Sequence, residues 1–223
     1  MTFSLIGRCA KTGQFGMVIS SSSPAVAARC AHVRAGVGAV ASQNITDPAL
    51  GPLLLDRLAA GQGAAAALAE VTTGRAHIDY RQLLVIDAAG GTAIHSGRQV
   101  LGVWGQAQGT DCAAGGNLLA NDTIPSAMVA AFEGATGHLG DRLMSALLAG
   151  LAAGGEAGPV HSAGLKIADK LDWPLADLRI DWSETPIEDL ATAWSVYRPQ
   201  MGAYVQRALD PTEAPSYGVP GDE

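Results

Sequence analysis

The N-terminal stretch MTFSLIGRCAKTGQFGMVISSSSP, residues 1–24, decides the fold prediction. Two apolar runs, Thr2–Arg8 and Gln14–Ser20, are separated by AKTG, a sequence typical of turns. Two such runs on either side of a turn predict a β-hairpin. Because Thr2 follows Met1 directly, the same stretch raises a chemical question. Thr2 is either only the first residue of a strand or a nucleophile that is exposed when Met1 is removed.

Further strands are predicted along the rest of the chain. A second pair is expected at Arg29–Ala35 and Val37–Gln43, where small and β-branched residues favour close strand pairing. RQLLVIDAAGGTAIHSG predicts another hairpin, with AAGG as its turn, and SAGLKIA and DLRIDW predict two late strands. In DLRIDW the apolar residues Leu178, Ile180 and Trp182 alternate with charged ones, which predicts one buried face and one polar face.

Helices are predicted in pairs between these strands. PLLLDRLAAGQGAAAALAEVTTG is rich in alanine and leucine, and Gly61 and Gly63 are expected to divide it into two helices. TIPSAMVAAFEGA and HLGDRLMSALLAGLAAGG predict the second pair. TPIEDLATAWSVY predicts a last helix, opened by a capping box from Thr185 to Glu188 and broken or kinked by Pro199.

This order of elements predicts the fold class. Strands, two helices, strands, two helices, strands and one helix follow one another, and hairpins predominate over βαβ units. Two antiparallel sheets stacked between helical layers would bury both sheets. We therefore predict an α+β protein with a four-layer αββα sandwich of two antiparallel sheets. A single domain is expected over residues 1–209, followed by an extended or disordered Pro/Gly/acid-rich tail over residues 210–223.

Composition restricts the classes of partner and the compartment. The 223 residues are 48% hydrophobic and 16% charged, with a net charge of -7 and no Lys/Arg cluster. This balance argues against nucleic acid and anionic membranes as partners. No apolar run of membrane-spanning length and no signal-peptide pattern is present, which predicts a cytoplasmic protein. Cys9, Cys30 and Cys112 lack CxxC spacing and are expected to be reduced.

The sequence contains no motif that predicts a cofactor or a metal site. Residues 36–41, GVGAVA, match the GxGxxA string, but SQNITDP follows them and does not open the helix that a dinucleotide site needs. His161 and Ser162 are adjacent, so on a strand they would face opposite ways. We predict no cofactor and no metal site, because no paired spacing occurs among the five histidines, His32, His77, His95, His138 and His161.

The remaining candidate for chemistry is Thr2. An N-terminal threonine can attack an amide carbonyl while its own α-amino group accepts the hydroxyl proton. That amine suits the task because its pKa, about 7.7–8.0, lies near neutrality. The arrangement requires the removal of Met1, with which a small second residue is compatible. Threonine after methionine is common, so a threonine at position 2 alone says little about function. It becomes informative when it begins a terminal strand of an antiparallel sandwich.

MTFSLIGR, GQFGMVISSS, RQLLVID and further segments follow one another along most of the chain in an order that resembles the DUF1028 family of bacterial proteins, which are described as N-terminal-nucleophile (Ntn) hydrolases. The resemblance spans residues 1 to about 197. It implies an αββα sandwich, in agreement with the element order, and a homo-oligomer. The segments that carry it are MTFSLIGR, GQFGMVISSS, VRAGVGAVASQ, DPALGPLLLDRLAAG, RQLLVID, GGNLLAN, AMVAAFE, RLMSALLAGLAAGGEAG, SAGL and DLRIDWSETPIEDL.

An Ntn-type site would place Thr2 as the nucleophile and its amine as the base. Residues expected near it, as contacts for a substrate, are Ser20, Ser21, Arg34, Gln43 and Asn117. Among them, Asn117 in the GGN turn would donate to an oxyanion, and Arg34 would bind a substrate carboxylate. Each also has a structural alternative. Arg34 would form a surface ion pair, Asn117 would satisfy the turn, and Gln43 would cap a loop.

The sequence thus leaves two classes of function open. The first is an Ntn-type hydrolase that acts on a small-molecule amide. The second is a non-catalytic ligand-binding or oligomeric assembly protein that keeps the same sandwich without the chemistry. Many Ntn enzymes place a lysine or an aspartate beside the nucleophile, whereas here Lys11 lies in a predicted turn and no acidic residue precedes Asp47. A proteasome-like arrangement is therefore not expected.

Overall fold

A computed structural model describes residues 1–221 of the chain. These residues form ten strands and seven α-helices. The strands are β1 (Thr2–Arg8), β2 (Phe15–Ser21), β3 (Ala31–Arg34), β4 (Gly38–Asn44), β5 (Arg81–Asp87), β6 (Thr92–Ser96), β7 (Gly105–Gly109), β8 (Cys112–Asn117), β9 (Ser162–Ala168) and β10 (Ala176–Ile180). The helices are α1 (Val26–Cys30), α2 (Leu50–Ala59), α3 (Ala64–Thr72), α4 (Ile124–Gly134), α5 (Leu139–Ala152), α6 (Pro186–Tyr197) and α7 (Met201–Leu209).

The strands form two antiparallel sheets. The large sheet has the order β10-β9-β2-β1-β8-β7, and the small sheet has the order β3-β4-β5-β6. The predicted N-terminal hairpin is present, since β1 pairs with β2 from Phe3 opposite Ser20 to Arg8 opposite Phe15. The pairing of β1 with β8 joins segments that are distant in sequence, and it places β1 near the centre of the large sheet.

Alternation along the strands divides the core into three zones. Phe3 and Leu5 of β1 pack with residues of α4 and α5, on the outer face of the large sheet. Ile6 of the same strand packs between the two sheets with residues of β4 and β5. Val40 and Leu83 pack against α2 and α3, on the outer face of the small sheet. Helices, sheet, sheet and helices therefore follow one another, and the predicted four-layer αββα sandwich is confirmed.

Three local predictions are wrong. The segment Val26–Cys30, which includes the predicted strand residues Arg29 and Cys30, is helical, and β3 begins only at Ala31. Asn117 is the last residue of β8 rather than part of a turn, because it pairs with Thr2 of β1. Trp182 is not buried, because β10 ends at Ile180 and the indole ring stacks on the His161 ring with centroids 4.3 Å apart.

The start of α6 also differs from the predicted capping box. Pro186 is the first helical residue, as expected, but the Thr185 hydroxyl makes no capping hydrogen bond to the helix backbone. Instead, the Ser183 hydroxyl accepts a hydrogen bond from the Thr185 backbone N–H and donates to the Asp189 carboxylate. The turn before the helix is thus held by a side chain two positions further upstream than Thr185.

The C-terminal part of the chain continues as α7 and a short 3₁₀ turn at Pro211–Glu213. The last two residues of the predicted tail, Asp222 and Glu223, lie outside the described residues. The domain boundary at residue 209 and the extended character of the tail stay predictions. Within residues 1–221, no helix has the length and apolar character needed to cross a membrane.

Candidate functional site

One end of the space between the two sheets is polar although it is buried. We call this region the polar end and define it by six residues, each at most 5% exposed. The large sheet contributes side chains from β1, β2 and β8, and the small sheet contributes side chains from β4 and β5. The six residues are Thr2, Ser4, Ser21, Gln43, Gln82 and Asn117.

Strand pairing brings three of these side chains side by side. Thr2 pairs directly with Asn117 of the neighbouring β8. On the other side, Phe3 lies opposite Ser20, so Ser21 is the β2 residue beside Thr2. Because side chains alternate between the two faces of a strand, Thr2, Ser21 and Asn117 share the face that looks into the space between the sheets.

A chain of hydrogen bonds connects the two sheets through the polar end. The Ser4 hydroxyl donates to Gln43 Oε1 over 2.7 Å, and Gln43 Nε2 donates to Gln82 Oε1 over 2.9 Å. Asn117 Nδ2 donates to the same Gln82 oxygen over 3.2 Å. Gln82 Nε2 in turn donates to Ser96 Oγ over 3.1 Å. Buried amides need such partners, so this network explains how polar side chains are tolerated between the sheets.

The Thr2 hydroxyl lies at the outer limit of this region and contacts the preceding peptide group. It donates to the backbone carbonyl oxygen of Met1, and the Ser21 hydroxyl donates to the same oxygen. The hydroxyl oxygens of Thr2 and Ser21 are 3.4 Å apart. The hydroxyl group of Thr2, which is the candidate nucleophile, and that of Ser21 therefore both donate to the same carbonyl oxygen.

The Arg29 guanidinium group is connected to the Ser21 hydroxyl through Ser23. Arg29 Nη2 donates to Ser23 Oγ over 2.6 Å, and the Ser21 and Ser23 hydroxyl oxygens are 2.9 Å apart. Since Ser21 uses its single hydrogen on the Met1 carbonyl, Ser23 must donate to Ser21. The chain of donors runs from the Arg29 guanidinium through Ser23 and Ser21 to the carbonyl oxygen. A charged first donor strengthens the later bonds of such a chain.

An acidic residue from a distant segment completes the surroundings of Met1. Glu156 is only 6% exposed, and its Oε2 accepts a hydrogen bond from the Ser22 backbone N–H over 3.1 Å. Burial raises the pKa of Glu156 to about 7, while the α-ammonium group of Met1 and the hydrogen bond from Ser22 act in the opposite direction. The carboxyl group thus lies within electrostatic reach of the N-terminus.

The structure brings together four of the predicted site residues, Thr2, Ser21, Gln43 and Asn117. Ser20 points the other way, to the outer face of the large sheet, and its hydroxyl donates to the Ser162 backbone carbonyl over 3.1 Å. Adjacent strand residues face opposite ways, so Ser20 and Ser21 cannot both contact one ligand in the space between the sheets.

Arg34 lies apart from the polar end. It pairs with Gly38 at the start of β4, whereas Gln43 lies five residues further along that strand. The rise of a strand puts about 16 Å between these positions. The Arg34 side chain forms a half-exposed ion pair with Asp56, with Nη2 and Oδ1 2.9 Å apart. The alternative of a surface ion pair describes Arg34 in this structure, and the cation near Thr2 is Arg29.

Sequence reasoning missed Ser4, Gln82, Arg29 and Glu156. Ser4 could have been found, because it lies two residues after Thr2 on the same strand and must share its face. Gln82 could not, because its pairing with Gln43 joins strands that are separated by two helices. Glu156 follows a glycine pair in an irregular segment, and no local pattern connects it to the N-terminus. Within the described part of the chain, no group of three or more His, Cys, Asp or Glu side chains could hold a metal ion.

Comparisons with known proteins match the chain to a family of unknown function. The model of a family of unknown function, DUF1028, matches residues 2–190. The crystal structure of protein SPO2555 from Silicibacter pomeroyi, also assigned to DUF1028, superposes with a TM-score of 0.85 at 25% sequence identity, covering 92% of this chain and 90% of that one. Among curated proteins, none matches the chain significantly.

Two further solved structures are more distant. Anbu (ancestral beta-subunit) from Yersinia bercovieri has a TM-score of 0.40 at 12% identity, covering 91% of this chain and 97% of that chain. A Gly-1 mutant of Anbu from Hyphomicrobium sp. strain MC1 has a TM-score of 0.31 at 12% identity, with the same coverage of 91% and 97%. Similarity at this level carries no argument about function.

Proposed function

This chain belongs to the DUF1028 family, and we propose that it is an N-terminal-nucleophile hydrolase that cleaves a small-molecule amide with Thr2 as the nucleophile. One observation carries the proposal. The hydroxyl groups of Thr2 and Ser21 converge on a single carbonyl oxygen, and a donor chain from Arg29 supports Ser21. A carbonyl group that entered this position after the removal of Met1 would meet a nucleophile and a polarising donor together.

The proposed reaction begins once Met1 has been removed and the nitrogen of Thr2 is a free amine. Thr2 Oγ1 attacks the amide carbonyl carbon of the substrate, and the α-amine accepts the hydroxyl proton. The tetrahedral intermediate collapses with cleavage of the C–N bond, and the proton passes to the leaving nitrogen. Water then hydrolyses the ester on Thr2, which releases the acid and restores the hydroxyl group.

Ser21 is proposed to stabilise the oxyanion of that intermediate. Its hydroxyl already donates to a carbonyl oxygen beside Thr2, and the Arg29–Ser23 chain makes it a stronger donor. The loss of one such donor lowers kcat by about 10²–10³-fold in other hydrolases. Gln43 and Asn117 are proposed to act as positioning residues, because the amide network ties their side chains across the two sheets.

A second function would apply to protein that retains Met1, and the burial of the Thr2 side chain favours it. With Met1 attached, the nitrogen of Thr2 is part of a peptide bond and cannot act as a base. The Thr2 side chain is also buried, and its hydroxyl is engaged by the Met1 carbonyl. A non-catalytic ligand-binding or oligomeric assembly protein would keep this arrangement permanently. The predicted homo-oligomer and small-molecule ligand fit either function.

The first test is the intact mass of untagged protein after expression from its native start codon. The proposal expects a mass that lacks Met1, and a mass that retains Met1 would contradict it. Turnover is then measured against a library of chromogenic amides. Thr2→Ala should abolish turnover of any amide that the wild type cleaves, and Thr2→Ser should retain part of it. Equal turnover by wild type and Thr2→Ala would exclude Thr2 as the nucleophile.

Two adjacent serines offer a matched pair of variants for the oxyanion role. Ser21→Ala should lower kcat by about 10²–10³-fold with little change in KM. Ser20→Ala is the control, because Ser20 faces the other side of the same strand, and it should leave kcat within about twofold. Equal losses in both variants would show that the effect comes from the folding of β2 rather than from the site.

A further inference from the structure

A cleft of about 230 Å³ adjoins the Met1 side chain. Contact with Met1 is made at Gly158, where an added Cβ would lie 3.1 Å from Met1 Cε. The charged residues among those that line the cleft are all glutamates. The lining residues include Leu151, Glu156, Gly158, Val160, Glu184 and Glu188. This cleft lies outside the polar end but continues from its outer limit at Met1.

Glu156 is the buried acidic group of this cleft. Its Oε2 accepts the hydrogen bond from Ser22, but its Oε1 is buried and has no hydrogen-bond donor within the described residues. An unpaired oxygen on a buried carboxyl group is costly, so such a group in a native protein calls for a ligand or a counter-charge. Glu184 and Glu188 are exposed at the rim, where solvent screens them.

The first residue of the chain already shows what the cleft can hold. The Met1 carbonyl oxygen accepts hydrogen bonds from Thr2 and Ser21, and the Met1 side chain lies against Gly158. The Met1 α-ammonium group acts on the buried Glu156 carboxyl, whose pKa it lowers. The carbonyl group and the side chain of Met1 thus contact different groups of the protein, and its ammonium group interacts electrostatically with a third.

We propose that this site recognises amides whose acyl part is an α-amino acid with a free ammonium group, and that Glu156 binds that ammonium group. This inference rests on the proposed function, because it places the acyl group of the substrate where Met1 lies before its removal. The carbonyl oxygen would face Ser21, the side chain would enter the cleft beside Gly158, and the ammonium group would supply the donor that Glu156 Oε1 lacks. Hydrolysis would consume one water and release a free amino acid and an amine.

The test of turnover uses two substrates that differ only in the ammonium group. L-Alanine p-nitroanilide carries it, and N-acetyl-L-alanine p-nitroanilide does not. Protein that lacks Met1 should prefer the first substrate by about tenfold or more in kcat/KM, because a hydrogen bond to a charged group has an effect of that size. Glu156→Gln keeps an acceptor for Ser22 and should lower kcat/KM by about 10- to 100-fold for the first substrate only.

A matched control and a binding measurement separate this inference from the hydrolase proposal. Glu213→Gln removes an exposed carboxylate that does not line the cleft and should leave the preference unchanged within about twofold. Thr2→Ala, which cannot turn over, should bind L-alaninamide at least about tenfold more tightly than N-acetyl-L-alaninamide by calorimetry, and Thr2→Ala/Glu156→Gln should lose that difference.

Each outcome decides one of the two proposals. Selective binding by Thr2→Ala, with no turnover of any amide in the chromogenic library by the wild type, would overturn the hydrolase but support recognition of the ammonium group. Equal turnover of both p-nitroanilides, or equal binding of both amides, would overturn the recognition of the ammonium group by Glu156. Neither result would contradict Thr2 as the nucleophile. An equal loss for both substrates in Glu156→Gln would also overturn it, because the residue would then act through structure alone.

Discussion

The space between the two sheets has two ends that are equally buried but held together by different forces. At one end, the side chains of Ile6, Met17 and Ile86 pack by contact alone. At the polar end, residues of the same strands pair by hydrogen bonds, as Ser4 and Gln82 do through Gln43. The change from apolar to polar occurs within one or two strand positions, for example between Leu84 and Gln82 on β5.

The two ends differ in how strongly stability depends on each side chain. An apolar end tolerates exchanges between apolar side chains of similar volume, which usually cost less than about 1.5 kcal/mol. A polar end depends on every partner, because one missing partner leaves another buried group unpaired. Natural proteins depart from apolar cores in this way mainly at functional sites. Of the three predictions below, the first and the last test whether the two ends respond as differently as this argument requires, and the second concerns Glu156 in the neighbouring cleft.

The largest effect is expected for Gln82→Leu at the polar end. Leucine has a similar volume and is more hydrophobic, yet the change leaves Gln43 Nε2 and Asn117 Nδ2 without their acceptor. We expect a loss of about 2–5 kcal/mol in the free energy of unfolding, measured by urea denaturation. In Gln43→Leu/Gln82→Leu both partners are apolar, so its loss should be smaller than the sum of the two single losses. Additive losses would contradict a coupled network.

A pH-dependent effect of intermediate size is expected from Glu156. Because burial raises its pKa from 4.5 to about 7, the folded chain holds a proton that the unfolded chain releases between those values. Stability should therefore fall as the pH rises from about 4.5 to about 7, by up to about 3 kcal/mol. The Met1 α-ammonium group opposes the shift, and Glu184 and Glu188 line the same cleft.

Glu156→Gln is the variant that checks this slope. Glutamine does not titrate, so the variant should lose the decrease in stability between pH 5 and pH 7 that the wild type shows. Urea denaturation of both proteins at pH 5, 6, 7 and 8 gives the comparison. A wild-type slope that persists unchanged in Glu156→Gln would assign the effect to another group.

The smallest effect is expected for Met17→Leu at the apolar end. Met17 is fully buried between the sheets, and leucine nearly conserves its volume. We expect a loss of less than about 1.5 kcal/mol in the free energy of unfolding. Gln82→Leu is the matched change at the other end, since both substitutions introduce the same side chain. A loss for Met17→Leu as large as that for Gln82→Leu would remove the distinction between the two ends.

Much of the fold could be predicted from local sequence. The hairpin β1–β2, the paired helices α2 and α3, and α5 each carry their own periodicity and boundary residues. The errors arose where a boundary depends on distant contacts. Asn117 looks like part of a glycine-rich turn, but β1 pairs with its segment and makes it a strand. The segment before Ala31 looks extended, but it is helical up to Cys30.

The candidate site was harder to predict, because its composition also depends on contacts between distant segments. Thr2 and Ser21 could be assigned to one face from the hairpin alone, and that hairpin also shows why Ser20 is excluded. Two cations, Arg29 and Arg34, lie near each other in sequence, but only the tertiary structure shows that Arg29 supports Ser21 while Arg34 pairs with Asp56. Charge alone does not reveal which side chain reaches the site.

Local patterns in the sequence predicted most of the strands and helices, the layered architecture and Thr2 as the candidate nucleophile. These follow from patterns within a few residues of one another, where geometry depends on the backbone alone. Only the tertiary structure decided the neighbours of Thr2. The pairing of β1 with β8 brought Asn117, the pairing of β4 with β5 brought Gln82, and an irregular segment brought Glu156 to Met1. Contacts between distant segments depend on the packing of the whole chain, and no local pattern encodes them.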